Sequence, residues 1–324
     1  MKALKAVYTY AFPEVESIML KTFPAWFWKV TTPAKAVQLL LEAYHIHIDV
    51  PRTKDGYVDL DEIHNPICSA IEAVYAELII GANNFNWYPT SGSSEGIFKV
   101  LGELQAKGHK LINVFEGEYE GFQVYAEALG MSVNFVPRDV TDEALLIIAK
   151  NNGTWFISNP SAIDGNFVDN ELLQRVNRTG NKIALDLAYV GMTRYHKFYV
   201  STNVDYVFLS LSKPYGVFRH RIGFTLTRTP SQVLYGNKWF KDITRLFQAY
   251  LLATEIGPLK LYEKYVSWQQ EAISTIIEED RVVLKPSDVF LLAHAEHNSF
   301  TDYKRGTSFR FCLTPYFEDI EKNH

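Results

Sequence analysis

Cysteine is nearly missing from this chain. Cys68 and Cys312 are the two cysteines in 324 residues, too few for a disulfide scaffold and without the paired spacing of a metal knuckle. That usage fits a reducing compartment, and a cytoplasmic setting is expected. Positive charge is not in excess either. Lys and Arg total 32 against 37 Asp and Glu, a formal net charge of -5. No dense basic stripe is present to follow a phosphate backbone, so nucleic acid is not an expected partner. Long apolar runs are also lacking, since no uncharged apolar stretch reaches the roughly 18 residues needed to span a bilayer. Pro13, Glu14 and Glu16 interrupt the first apolar stretch before a signal-peptide core can form. A soluble chain without a membrane span is expected, and no internal repeat, low-complexity tract or flexible linker is visible.

What is present is ordinary globular material, 47% hydrophobic and 21% charged, enough for a sizeable core. The length exceeds the usual single-core size, which predicts two domains. From about 84 to 227 short β-rich runs alternate with amphipathic stretches. Strands are predicted at 85–90, 110–116, 132–137, 154–159, 182–188, 205–212 and 222–228, with helices at 93–107, 120–129, 141–150 and 169–178. This alternation predicts an α/β fold, a mostly parallel sheet with helices on both faces, plus a smaller α+β C-terminal domain. The expected division is 1–80 shared between domains, 81–232 as the large domain and 233–324 as the small one. A long helical tract is expected over 232–280, followed by β-rich runs at 289–294 and 308–314. In the first 80 residues, helical stretches are expected around 33–44 and 66–80.

The segment SLSKPYGVFRHRIGF, 210–224, places Lys213 directly after a predicted buried strand. A lysine there is either partnered, exposed in a loop, or chemically used. The segment resembles the fold-type-I pyridoxal phosphate (PLP) enzymes, above all the aspartate and histidinol-phosphate aminotransferases, whose lysine sits in S-x-S-K-x-x-G-x-x-x-x-R-x-G. Ser210, Ser212, Lys213, Gly216, Arg221 and Gly223 occupy every fixed position. The resemblance implies that Lys213 carries PLP as a Schiff base and that Ser210 and Arg221 bind its phosphate.

Other stretches follow in the family's chain order. In LDLAYVG, Asp186 and Tyr189 stand at a predicted strand end. A carboxylate against the pyridine nitrogen keeps it protonated and makes the ring an electron sink; Asp186 is expected there, and Tyr189 is expected to donate to the phenolate oxygen. In YPTSGSSEGI, Gly92, Ser93 and Ser94 form a strand-to-helix turn whose N–H groups and helix dipole suit an anion. It corresponds to G-A-D-E-G of the histidinol-phosphate aminotransferases, although alone it would be only a helix N-cap. In FEGEYEGFQVYAEALG, Tyr119 corresponds to the aromatic residue that stacks on the pyridine. In GTSFRFCL, Arg310 corresponds to the arginine that holds the substrate α-carboxylate in a bidentate fork.

One motif departs from the pattern. Where the family has S-N-P-x-N-P-T-G, this chain has SNPSAIDG, so Ala162 stands at the asparagine position and Asp164 at the threonine. Asn159 is the candidate to replace that donor to the phenolate oxygen; another polar group, or none, are the alternatives. No metal site is expected, because His45 with His47, alternating on a predicted strand, and His294 with His297 lack a third ligand at motif spacing. The resemblance implies an aminotransferase that moves an amino group between an amino acid or amine metabolite and a 2-oxo acid. A PLP-dependent lyase, decarboxylase or oxidase on the same lysine is the alternative. A PLP-sensing module of a transcription regulator fits less well, since it would need an attached DNA-binding domain. A homodimer is also implied, with Phe23, Trp26, Phe27 and Trp28 suited to the contact and Tyr57 the guess for the ligand to the partner's phosphate.

Overall fold

The computed structural model describes residues 2–3, 10, 12–21, 38–39, 41–42, 46–56, 58–59, 62–238, 243–296 and 301–323. Phe23, Trp26, Phe27, Trp28, His45, Tyr57 and His297 lie outside the described residues. Strands run at β1 (Ile79–Ile80), β2 (Asn86–Thr90), β3 (Leu111–Phe115), β4 (Ser132–Val136), β5 (Thr154–Ser158) and β6 (Ile183–Asp186). They continue at β7 (Phe198–Tyr199), β8 (Val204–Ser210) and β9 (Gly223–Thr227), and near the C-terminus at β10 (Lys285–Pro286), β11 (Leu292–Ala295), β12 (Lys304–Arg305) and β13 (Ser308–Cys312).

The seven predicted strands assemble into one sheet in the order β2-β9-β8-β6-β5-β3-β4, in which β9 runs against its neighbours and the rest are parallel in direction. The strands β5, β6 and β9 are buried along their whole length, as expected of a sheet covered on both faces. Alternation then divides the core. Phe156, Ala184 and Phe208 join Ile97, Val100 and Leu101 of helix Ser93–Ala106 on one face, while Trp155, Ile157, Leu185, Val207 and Leu209 serve the other. Because the sheet is nearly parallel, β5, β6 and β8 end at one edge, on Ser158, Asp186 and Ser210. Ser158 is the register partner of Asp186, and Ser210 that of Gly223. Ligands of such sheets bind outside the carboxyl ends of the strands, and the chemistry-bearing side chains gather there.

The C-terminal strands form a separate antiparallel sheet, β10-β11-β13-β12. Helix Lys260–Asp280 packs on it. The buried Gln269 donates from Nε2 to the carbonyls of Ser287 at 2.9 Å and Leu292 at 2.7 Å, pinning the β10–β11 hairpin to that helix. The expected tract over 232–280 is not continuous. Helix Ile243–Leu251 runs into a wider turn, Leu252–Ile256, and stops where Gly257 takes φ 72 and Pro258 offers no N–H. The helix expected over 66–80 ends at Tyr75, and Ile79–Ile80 instead pairs in parallel with β7. No strand forms at His47, which is exposed in an irregular stretch. His294 is half-buried, with Nδ1 3.2 Å from Ser287 Oγ.

Candidate active site

At the carboxyl edge of the large sheet lies a cavity of about 370 Å³. Ser93, Ser94, Tyr119, Asp186, Tyr189 and Ser210 line it together with Lys213, Arg221 and Arg310. Nine residues singled out from sequence, spread over more than two hundred positions, thus face one space. Ala162, Phe218 and Arg305 complete the wall.

The lysine loop is held by its own motif residues. Ser212 Oγ accepts the N–H of Ile222 at 2.7 Å and lies 3.2 Å from the Ile222 carbonyl, tying the two ends of the loop together. Gly216, at φ 69, lies so close to the Tyr10 carbonyl that a Cβ would overlap it. Lys213 Nζ stands 4.2 Å above the centre of the Tyr189 ring and 5.9 Å from that of Tyr119.

An anion cup is built from the turn after β2. Gly92 precedes helix Ser93–Ala106 at φ 76, and no side chain caps its first N–H groups. A Cβ on Gly92 would sit 2.8 Å from Nη2 of Arg221, and one on Gly223 would sit 2.8 Å from the Gly92 Cα. Two glycines therefore let β9 and this turn approach closely enough for the guanidinium to lie over the helix start. From there Arg221 Nη2 donates to Ser94 Oγ at 3.2 Å. Gly92 itself is a layer behind the cavity wall. Such a helix start with an arginine beside it suits an anion by both dipole and charge.

Asp186 is buried, and one of its oxygens accepts the Ala188 N–H at 3.1 Å. Burial pushes its carboxyl up to about 6, against the lowering effects of Lys213 and of that N–H. Behind it lies a residue that the sequence reading missed. Glu118 is buried, accepts a short hydrogen bond from Ser158 Oγ, and takes the N–H of Tyr119 at 3.2 Å. Burial raises it to about 7, with the Ser158 bond and Arg138 lowering it and Asp186 raising it. Glu116, Glu118 and Glu120 read as one acidic run just after β3, and only the middle one is buried, which nothing in their spacing signals.

These two carboxyls give a signed pH dependence. Each keeps its proton to higher pH in the folded chain than in the unfolded one, whose ordinary values are 3.8 and 4.5. The native state therefore binds more protons across roughly pH 4 to 7, and stability falls as pH rises through that window. Glu118→Gln imitates the protonated acid. The variant should match the wild type near pH 4.5 and exceed it at pH 8, by something on the order of 3 kcal/mol. Melting temperatures at the two pH values check this, and a variant less stable than wild type at pH 8 would contradict it.

Asn159 lies outside the cavity wall. It is buried, and its Oδ1 accepts the Val168 N–H at 3.0 Å. Ala162, in the departing motif, turns its N–H to Ser158 Oγ at 2.7 Å, and its carbonyl accepts from Nη1 of Arg310. The buried Arg310 is thus oriented from the loop where the family motif has an asparagine. Asp164 faces away and pairs with Arg138 at 2.9 Å.

No protein-family model and no curated protein sequence matches the chain. Solved structures do. A histidinol-phosphate aminotransferase from Sinorhizobium meliloti, in complex with pyridoxal-5'-phosphate, superposes with a TM-score of 0.61 at 14% identity, covering 97% of this chain and 90% of its own. A PLP-bound C-S lyase from Staphylococcus hominis gives 0.63 at 11%, covering 90% and 86%. An L-threonine-O-3-phosphate decarboxylase from Porphyromonas gingivalis gives 0.59 at 13%, covering 98% and 97%. The chain has the aminotransferase-like fold of these fold-type-I proteins.

Proposed function

We propose that this chain is a PLP-dependent aminotransferase acting through Lys213. The observation that carries the reading is a lysine amine, a buried carboxyl and an arginine-and-helix anion cup facing one cavity. The donor set suits the cofactor part by part. Arg221, Ser93, Ser94 and Ser210 would hold its phosphate, and the room for Arg221 exists because position 92 has no Cβ. Asp186, buried and reluctant to ionise alone, would hold the pyridine N–H and be held ionised by it. Tyr119 would cover one ring face and Tyr189 would donate to the phenolate oxygen. When bound, PLP supplies an electron sink for the bonds at the substrate Cα.

The chain's own residues then have distinct tasks. Lys213 binds the cofactor and moves the proton at Cα as general base and acid. Arg310 would bind the α-carboxylate and so orient the bonds at the substrate Cα. We assign cofactor binding to 81–232 and the carboxylate arginine to 233–324. A homodimer is proposed with this reading, and light scattering showing an active monomer at micromolar concentration would contradict it. No described helix is long and apolar enough to cross a membrane.

A lyase or decarboxylase is the second reading. Ala162 motivates it, because with no asparagine at that position the chain would offer a bound phenolate oxygen one donor fewer than the aminotransferases it resembles. A single-turnover assay separates the two. An aminotransferase without acceptor converts an amino donor stoichiometrically to its 2-oxo acid and returns the amino group when a second 2-oxo acid is added. Release of carbon dioxide, ammonia or a thiol from the donor would instead support the second reading.

A further inference from the structure

We propose that Glu118 is a positioning residue for substrate binding: through Ser158 and the Ala162 backbone it holds the fork of Arg310 in the direction that meets the α-carboxylate. The inference deepens the function proposed above and rests on the role given there to Arg310.

The relay between the two charged groups is continuous. Glu118 Oε2 accepts from Ser158 Oγ, and Ser158 Oγ accepts the Ala162 N–H at 2.7 Å. The Ala162 carbonyl then accepts from Nη1 of Arg310. Ala162 is thus held by its N–H and holds Arg310 by its carbonyl. The carboxylate is what gives the relay its direction. A serine hydroxyl has one proton to donate; with that proton committed to Glu118, Ser158 Oγ turns a lone pair to the Ala162 N–H. Were the hydroxyl to rotate, its proton would meet that N–H donor to donor.

The loop that carries Ala162 is a strut between the two sheets. Its far end is fastened to the β10–β11 hairpin, where Ser287 Oγ donates to the Asp164 carbonyl at 2.5 Å and the Val289 N–H to the Gly165 carbonyl at 3.0 Å. Arg310, on β13 of the same small sheet, reaches back to the middle of the strut. Arg138 pairs with Asp164 two residues further on, but the bond that reaches Ala162 itself comes from Ser158, at the end of β5. Glu118 sets that bond from the turn after β3, and its Oε2 also takes the N–H of Tyr119. The residue assigned to the cofactor ring and the hook for Arg310 are therefore referred to one carboxyl, which ties the carboxylate fork to the frame of the large sheet.

Glu118 does not line the cavity itself, and a buried carboxyl there costs the fold stability once it ionises. What it gives in return is acceptance. Ser158 Oγ and the Tyr119 N–H donate to Oε2, and Ser161 Oγ lies 3.5 Å from Oε1. Both serines belong to SNPSAIDG, the segment that departs from the family pattern. Where that pattern places an asparagine side chain, this chain uses the Ala162 backbone, with Glu118 behind it to aim it.

The test uses PLP-saturated protein and two amino donors that differ only in the carboxylate: whichever of the common L-amino acids the wild type converts fastest in a single turnover, and the amine left when its α-carboxyl group is removed. Ser158→Ala and Glu118→Ala should each raise the half-saturating concentration of the amino acid by about 10- to 30-fold. The rate at saturation should stay within about threefold of wild type, and the amine should be unaffected. Glu118→Gln keeps an oxygen for Ser158 and should recover most of the loss. In the Arg310→Lys background Ser158→Ala should add less than about threefold, because both substitutions act on one contact. Apart from turnover, exchange of the Ala162 amide in the cofactor-free protein, followed by NMR, should quicken by about tenfold or more in Ser158→Ala and Glu118→Ala but not in Glu118→Gln. Should Glu118→Ala fail to fold, Ser158→Ala, which removes a single oxygen, carries the same test. An equal rise for amino acid and amine, losses that add in the Arg310→Lys background, or an Ala162 amide that exchanges at the wild-type rate in Ser158→Ala overturns the proposal and leaves the function on Lys213 standing. An Arg310→Lys variant with unaltered half-saturation overturns the role of Arg310 and this proposal with it, and a wild type that converts no amino acid overturns the function itself.

Discussion

Lys213→Ala should bring turnover down by roughly 10⁴-fold or more, because one substitution removes both the covalent hold on the cofactor and the base that works at Cα. PLP should still bind. The residues proposed to hold its phosphate, Ser94, Ser210 and Arg221, belong to the helix start after β2, to the end of β8 and to the loop before β9, and the Arg221–Ser94 contact does not involve the lysine. The loop should keep its shape as well, since Ser212 and Ile222 close it. Removing Nζ also lifts a positive charge that lowers Asp186, so the carboxyl of the cofactor-free variant should titrate higher still. The measurement is single-turnover chemistry beside equilibrium PLP binding. Activity within tenfold of wild type would show that the chemistry is done elsewhere.

Arg310→Lys should cost about 2 to 4 kcal/mol of transition-state binding, because lysine cannot reproduce the planar two-bond fork at a desolvated carboxylate. That amounts to roughly 30- to 1,000-fold in kcat/KM. Here a second reason adds to the first. Arg310 is buried and one of its nitrogens is committed to the Ala162 carbonyl, so the backbone of the departing loop sets the direction of the fork. A lysine that satisfied that carbonyl would turn its charge away from the cavity. Cofactor absorbance should be unchanged before substrate is added. Unaltered affinity for a carboxylate donor, or loss of PLP from the variant, would refute the role.

The large sheet was legible because its signals are local. Apolar runs bounded by turns place all seven strands to within a residue or two; Gly92 and Lys213 fall just after a strand, and Arg221 just before the next one. Their convergence is a property of the parallel sheet, which delivers Ser158, Asp186 and Ser210 to one edge. What was not legible depends on distant packing. Glu118 looked like its exposed neighbours Glu116 and Glu120, and only burial under Ser158 distinguishes it. Arg305 lies in a hydrophilic stretch whose place is set by Gly117, nearly two hundred residues away. The two-residue strand β1 was absorbed into a helix because its pairing partner, β7, comes more than a hundred residues later. The Asn159 side chain, the candidate for a missing donor, is turned to the Val168 N–H, a contact set by the backbone of the following loop.

The central claim is that the cofactor is joined to Lys213, and reduction of the PLP-loaded protein with borohydride followed by peptide mapping tests it most directly. The account predicts that the absorbance of the bound cofactor is lost on reduction and that a stable pyridoxyl mark appears on the peptide containing Lys213. A mark on another lysine, or a protein that takes up PLP without becoming marked at all, would contradict it.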